Sequence, residues 1–132
     1  MQAPLLLAWL ADNRATQGHS FLRHVERCGT LVLVVDLSAG VDGRAGQRAS
    51  GQLRMLLQEL HEYDPSLATR PLVVVGTKLD VPGASRSLAG LRTSATAAAL
   101  PRPLGVSALT GEGMDQLRSV LLQLARTTQQ RG

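Results

Sequence analysis

Two runs of the chain are apolar at successive positions instead of every second one: Leu31 to Val35 and Leu72 to Val75. A strand needs that pattern only when both of its faces are covered, as in a parallel sheet. Leu104 to Val106 is a shorter run of the same kind, bracketed by Pro103 and Ser107. Between and after these runs the period changes to that of a helix. Arg48 to Tyr63 carries Leu53, Leu56, Leu57 and Leu60 on one stripe, and Asp64-Pro65-Ser66 breaks it. Ser85 to about Ala99 is Ala-rich, with Leu88 and Leu91 on its inner side, after a Pro82-Gly83 turn. Gly113 to Arg126 puts Met114, Leu117, Leu121 and Leu124 inward, with Glu112 and Asp115 near its positive end. Upstream, His19 to Cys28 places Phe21, Leu22, Val25 and Cys28 on one face, and Gly29 stops it. Residues 1–18 follow no clear period.

A helix followed by strand–helix three times predicts an α/β fold. The expected architecture is a doubly wound parallel sheet of about three strands, with right-handed crossovers and flanking helices. Residues 1–18 form a poorly defined N-terminal segment, and residues 19–132 make one domain. Functional groups in such sheets collect just past the carboxyl ends of the strands.

The 132 residues suffice for one small domain, and 44% of them are hydrophobic but only 2% aromatic, so the core is aliphatic. The formal net charge is +4, carried by 13 arginines and a single lysine. That balance suits an acidic or nucleic-acid partner, but the charges are spread rather than clustered, which favours a plain solvated surface. One cysteine, Cys28, rules out an internal disulfide framework and points to a reducing compartment. No apolar run reaches membrane-spanning length. Leu5 to Ala11 lacks the preceding Lys or Arg of a secretory signal. An intracellular protein is expected.

Two polar clusters follow strands: Thr77-Lys78-Leu79-Asp80 and Ser107-Ala108-Leu109. Both fall on one sheet edge and can meet around one ligand. A carboxylate such as Asp80 accepts two parallel hydrogen bonds, and guanine offers two adjacent donors where adenine does not. Hydrogen bonds to charged groups contribute ~1.5–3 kcal/mol each, so Asp80 alone could choose the base. The stem of Lys78 can cover the flat face of a base, and the Ala108 N–H can donate to a purine carbonyl. The plainer alternative is that Asp80 caps the Pro82-Gly83 turn and Lys78 is a surface charge.

These clusters resemble the N-K-x-D and S-A-x motifs of small GTPases. Gly18 to Arg27 (Gly-His-Ser-Phe-Leu-Arg-His-Val-Glu-Arg) is similar to the switch II helix of Obg-type GTPases. Val34-Val-Asp-Leu-Ser38 and Val106 to Gly113 extend the likeness, which runs from about Asn13 to the last helix. The resemblance implies the C-terminal part of an Obg-type, P-loop NTPase-like G domain. It implies guanine binding by Thr77, Lys78, Asp80, Ser107, Ala108 and Leu109. It also implies GTP binding and hydrolysis, a magnesium cofactor, and a role in large ribosomal subunit assembly. The family has bacterial and mitochondrial members, which slightly favours a mitochondrial location over a cytoplasmic one.

The departures are specific. The family's phosphate-binding loop, G-x-x-x-x-G-K-[ST], needs a lysine, and the only lysine here is Lys78 of the base motif. The strand preceding that loop, switch I and the glycine-rich N-terminal domain have no counterpart. Gln2-Ala3-Pro4-Leu5 lies where the magnesium motif D-x-P-G would align and keeps only its proline. Asp80-Val-Pro-Gly83 matches that motif by letters, but its Asp is already assigned to the base. No magnesium ligand and no catalytic residue is identified. Thr77 stands for the usual Asn, as in Rho-type GTPases. The chain alone is therefore expected to bind GTP or GDP weakly if at all, and not to hydrolyse it. Without a first strand, residues 31–36 would present an exposed apolar edge prone to self-association, unless Leu5 to Leu10 covers it.

Two other readings compete. One is a non-catalytic module for ribosomal RNA or protein, drawn from the charge and from His19, Arg23, His24 and Arg27 on one helix. The other, a phospho-acceptor receiver domain using Asp36 and Lys78, lacks the acidic pair that its first strand requires. Asp36 reads instead as a loop-capping carboxylate.

Overall fold

A computed structural model describes residues 6–10, 30–41, 48–63, 65 and 72–131. Four strands, β1 (Leu6–Leu10), β2 (Thr30–Asp36), β3 (Leu72–Thr77) and β4 (Leu104–Gly105), make one sheet in the order β1-β2-β3-β4. Every neighbouring pair is parallel. Among the described residues three helices join and follow them: α1 (Ala49–Tyr63), α2 (Ala84–Ala97) and α3 (Met114–Arg131). This is the expected partial P-loop NTPase-like α/β arrangement.

The unalternating runs are explained by the layers. In β2 and β3, Leu31, Leu33, Val35, Leu72 and Val74 face one way and pack with Leu53, Leu56 and Leu60 of α1 and Leu88 and Leu91 of α2. Val32, Val73 and Val75 face the other way with Leu104 and Val106, under Leu117, Val120, Leu121 and Leu124 of α3. Successive strand residues alternate faces, so two covered faces require an apolar residue at every position. Each fully buried Leu or Val contributes ~1.5–3 kcal/mol of transfer free energy.

The sheet has one strand more than the hydrophobic pattern predicts. Leu6–Leu10 pairs in parallel with β2, from Leu6 opposite Thr30 to Leu10 opposite Val34. The edge of β2 expected to be open is therefore paired, and β1 is the end strand. Backbone pairing explains why no period announces it: a short apolar run gains strand structure from its partner's ladder, not from its own alternation. Met114, expected inward, is 39% exposed at the start of α3. The helix itself runs to Arg131, beyond the predicted end. The expected helix from His19 to Cys28 lies outside the described residues. No helix among the described residues is long and apolar enough to cross a membrane.

Gly76, the penultimate residue of β3, is a glycine for a packing reason. A Cβ there would lie 2.6 Å from Leu37 Cδ2, and Leu37 is fully buried. Leu37 fills the space that a side chain at position 76 would take, where the chain leaves the core.

Candidate site at the carboxyl edge of the sheet

Parallel pairing brings the ends of β2, β3 and β4 side by side. Asp36 is opposite Thr77, and Gly76 is opposite Gly105. The chain past β3 is then stitched to the chain past β4. Val106 N donates to Gly76 O at 2.9 Å, and Leu79 N donates to Val106 O at 3.0 Å. These bonds fix the two predicted clusters relative to each other.

Ser107 joins them through its side chain. Its hydroxyl donates to Asp80 Oδ1 at 2.6 Å and accepts from Thr110 N at 3.1 Å. The residue is 0% exposed, so this hydroxyl holds Asp80 from a buried position. The loop also closes on itself, with Ser107 N donating to Glu112 O at 2.9 Å and Gly111 N donating to Ser107 O at 2.8 Å. Gly113 completes the turn at φ 77°, and a Cβ there would run into Gly105 O. The loop tip faces outward, with Ala108 exposed and Leu109 83% exposed. Among the described residues the Ala108 N–H has no hydrogen-bond partner.

Asp80 is exposed, and among the described residues its carboxylate accepts no hydrogen bond besides that of Ser107. The pair therefore offers solvent a carboxyl acceptor held by a buried hydroxyl. The turn that follows is closed by the backbone, Val81 N donating to Lys78 O at 3.1 Å and Ala84 N to Val81 O at 3.0 Å. Gly83 caps α2 with no side-chain hydrogen bond. Asp80 thus serves the neighbouring loop, not the turn.

Thr77 takes a different place from Asp80. Its hydroxyl donates to Val35 O at 3.2 Å and so ties β3 back to β2. Lys78 stands in the left-handed region at φ 63°, and its Nζ donates to Asp36 Oδ2 at 3.1 Å. Asp36 caps its loop as read from the sequence: Oδ1 accepts Ser38 N at 2.8 Å and Ser38 Oγ at 2.6 Å. Burial works to raise the Asp36 pKa. The Ser38 hydroxyl, the Ser38 N–H and the Lys78 ammonium outweigh it and hold the carboxyl below its ordinary value.

Sequence reasoning missed Gln52. It is 6% exposed, and its amide brackets the Asp36 backbone: Asp36 N donates to Oε1 at 2.9 Å, and Nε2 donates to Asp36 O at 2.9 Å. The signal was a polar residue beside the leucine stripe of α1, next to Leu53. Two cavities of the described residues lie elsewhere, along the α1–α2 seam. One of about 190 Å³ is lined by Arg48, Ser50, Arg86 and Ser87, and one of about 300 Å³ by Leu53, Arg54, Leu57 and Ala97.

No protein-family model matches the chain. It is 39% identical over 130 residues to the GTPase Obg of Opitutus terrae, which is 98% of this chain and 34% of that protein. It is 42% identical over 107 residues to the GTPase Obg of Desulforudis audaxviator, covering 81% of this chain and 24% of that protein. It is 34% identical over 129 residues to the "Probable GTP-binding protein OBGM, mitochondrial" of Oryza sativa subsp. japonica, covering 98% of this chain. The chain spans about a quarter to a third of the length of these curated relatives.

Proposed function

This chain belongs to the Obg-type GTPases over the segment it shares with them, and on that premise we propose that the carboxyl edge of its sheet recognises the base of a guanine nucleotide. The 2.6 Å bond from Ser107 to Asp80 carries the proposal, because it joins the two clusters on one exposed edge. Asp80 accepts the two adjacent donors of guanine, the Lys78 stem covers one face of the ring, and the Ala108 N–H donates to the ring carbonyl oxygen. Leu109 shields the open side. Thr77 serves indirectly by tying β3 to β2. An adenine ring leaves Asp80 facing no donor pair, and that mismatch sets the preference.

The same residues supply no phosphate chemistry. The 132 residues contain no G-x-x-x-x-G-K-[ST] run, and their one lysine is engaged at the base site. Phosphoryl transfer depends on groups that neutralise the phosphates, so these residues alone bind GTP or GDP weakly and do not turn GTP over. Among the described residues no cluster of His, Cys, Asp or Glu fits magnesium, and no step is routed through it. The family's role in large ribosomal subunit assembly is the biological setting we assign, with the subunit or its RNA as partner. The mitochondrial relatives favour that compartment.

Titration with fluorescent GDP and ADP analogues tests the base reading. The chain should prefer the GDP analogue by about tenfold or more, and Asp80→Ala should remove that preference. Equal binding of both analogues by the unaltered chain would refute it.

A further inference from the structure

The lysine of the proposed base site is not left to find its own place. Lys78 is the only lysine of the sequence and its side chain is 59% exposed, yet its Nζ lies 3.1 Å from Asp36 Oδ2. A surface ion pair is usually weak, because two flexible side chains must be fixed to make it. Here one partner is already fixed. Two bonds from Ser38 occupy Asp36 Oδ1, leaving Oδ2 for the lysine. Gln52 brackets the Asp36 backbone from α1. The lysine backbone is also committed. A left-handed residue other than glycine costs roughly 1–2 kcal/mol and persists only where its surroundings hold it. Bonds from Val81 N to Lys78 O, from Leu79 N to Val106 O and from Leu37 N to Thr77 O surround that peptide and supply the hold.

We propose that Asp36 is a positioning residue for nucleotide binding: it draws the Lys78 ammonium over the end of β2, so that the methylene stem lies across the sheet edge as a platform for the base. Asp36 itself touches no part of the ligand. It sets affinity and leaves the choice of base to Asp80. The path Gln52, Asp36, Lys78 also makes α1 a mechanical support of the site. This deepens the guanine reading and rests on it.

The test uses the full chain and two readouts. With a single lysine, an amine-selective reagent followed by peptide mass spectrometry reports on Lys78 without any nucleotide. Asp36→Asn keeps the acceptor for Ser38 and loses the charge facing Lys78. Labelling of Lys78 should quicken by about threefold to fivefold. Affinity for the fluorescent GDP analogue should fall by a similar factor, with the GDP-over-ADP ratio unchanged. Asp36→Glu should recover part of both effects. If Asp36→Asn does not fold, Ser38→Ala, which frees the carboxylate to rotate, should give the same changes at smaller size. Unchanged labelling overturns the proposal, and so does faster labelling with unchanged affinity. If the unaltered chain and Asp80→Ala bind the GDP analogue equally, the guanine reading falls and takes the affinity claim with it. The labelling rate then still accepts or rejects the hold of Asp36 on Lys78.

Discussion

The hydroxyl of Ser107 donates to Oδ1 of Asp80 across 27 residues of sequence, and it does so from a position with no solvent exposure. The buried hydroxyl also accepts Thr110 N, so one oxygen holds both the acceptor and the loop beside it. Ser107→Ala should therefore act twice. It strands the Thr110 N–H and frees Asp80, with a stability loss of about 1–2 kcal/mol in urea unfolding. Preference for the GDP analogue should weaken, but less than in Asp80→Ala, because the carboxylate remains. Wild-type stability and preference in Ser107→Ala would show that the bond does neither job.

Gly113→Ala should be among the most damaging single changes in the chain. The new Cβ would collide with Gly105 O, a backbone atom that cannot swing away, and φ 77° is strained for any side chain. A loss of more than ~2 kcal/mol is expected. Gly111→Ala, at φ 85° but with open space around it, supplies the control for strain alone. Equal midpoints for the two variants in denaturant would refute the clash.

Gln52→Leu should preserve the volume and helix propensity of α1 but leave the Asp36 N–H and C=O without their partner. Two unpaired, half-buried backbone groups cost roughly 2–4 kcal/mol together. Thermal unfolding measures the loss. A variant as stable as the parent would mean that water replaces the amide.

Acid should destabilise the fold partly through Asp36. Its folded pKa lies below the ordinary value, so the unfolded chain takes up a proton first as pH falls. The stability contributed by Asp36 is present above the unfolded carboxyl value and is lost as pH drops through the folded value. Asp36→Asn should flatten that acid limb and leave the neutral-to-alkaline part of the curve parallel to the parent's. Chemical denaturation across the acid range checks it, and an unchanged slope would exclude Asp36 as a contributor.

The central strands were legible because Leu31 to Val35 and Leu72 to Val75 can be satisfied only by two covered faces. The meeting of Asp80 with Ser107 followed, since each lies just past a strand end and parallel neighbours align those ends. The Asp36–Lys78 pair was within reach of the same logic, as Asp36 stands opposite Thr77, but the sequence analysis brought the two together only in the receiver-domain reading. β1 was legible only as an alternative, with Leu5 to Leu10 covering the edge of β2, because an end strand is defined by the ladder it joins. Gln52 was missed because its partner is the Asp36 backbone, which carries no residue identity. Met114 fits the helical stripe by spacing, yet it begins the helix, where fewer neighbours cover it.

β4 contains two residues, whereas β2 contains seven. Its ladder is only the register of Leu104 and Gly105 against β3 and the two bonds through Val106, and the rest of its hold is the packing of Leu104 and Val106 under α3 and the bond from Arg92 Nε to Pro103 O at 3.1 Å. A ladder that short opens by local fraying at a small fraction of the global unfolding free energy. Amide hydrogens from 104 to 113 should then exchange with deuterium well before those of β2 and β3. Each such opening parts Ser107 from Asp80 while the rest of the sheet stays intact. On the proposed base reading, the rim around the ring would breathe on its own clock, and a purine would enter and leave no more slowly than that loop opens.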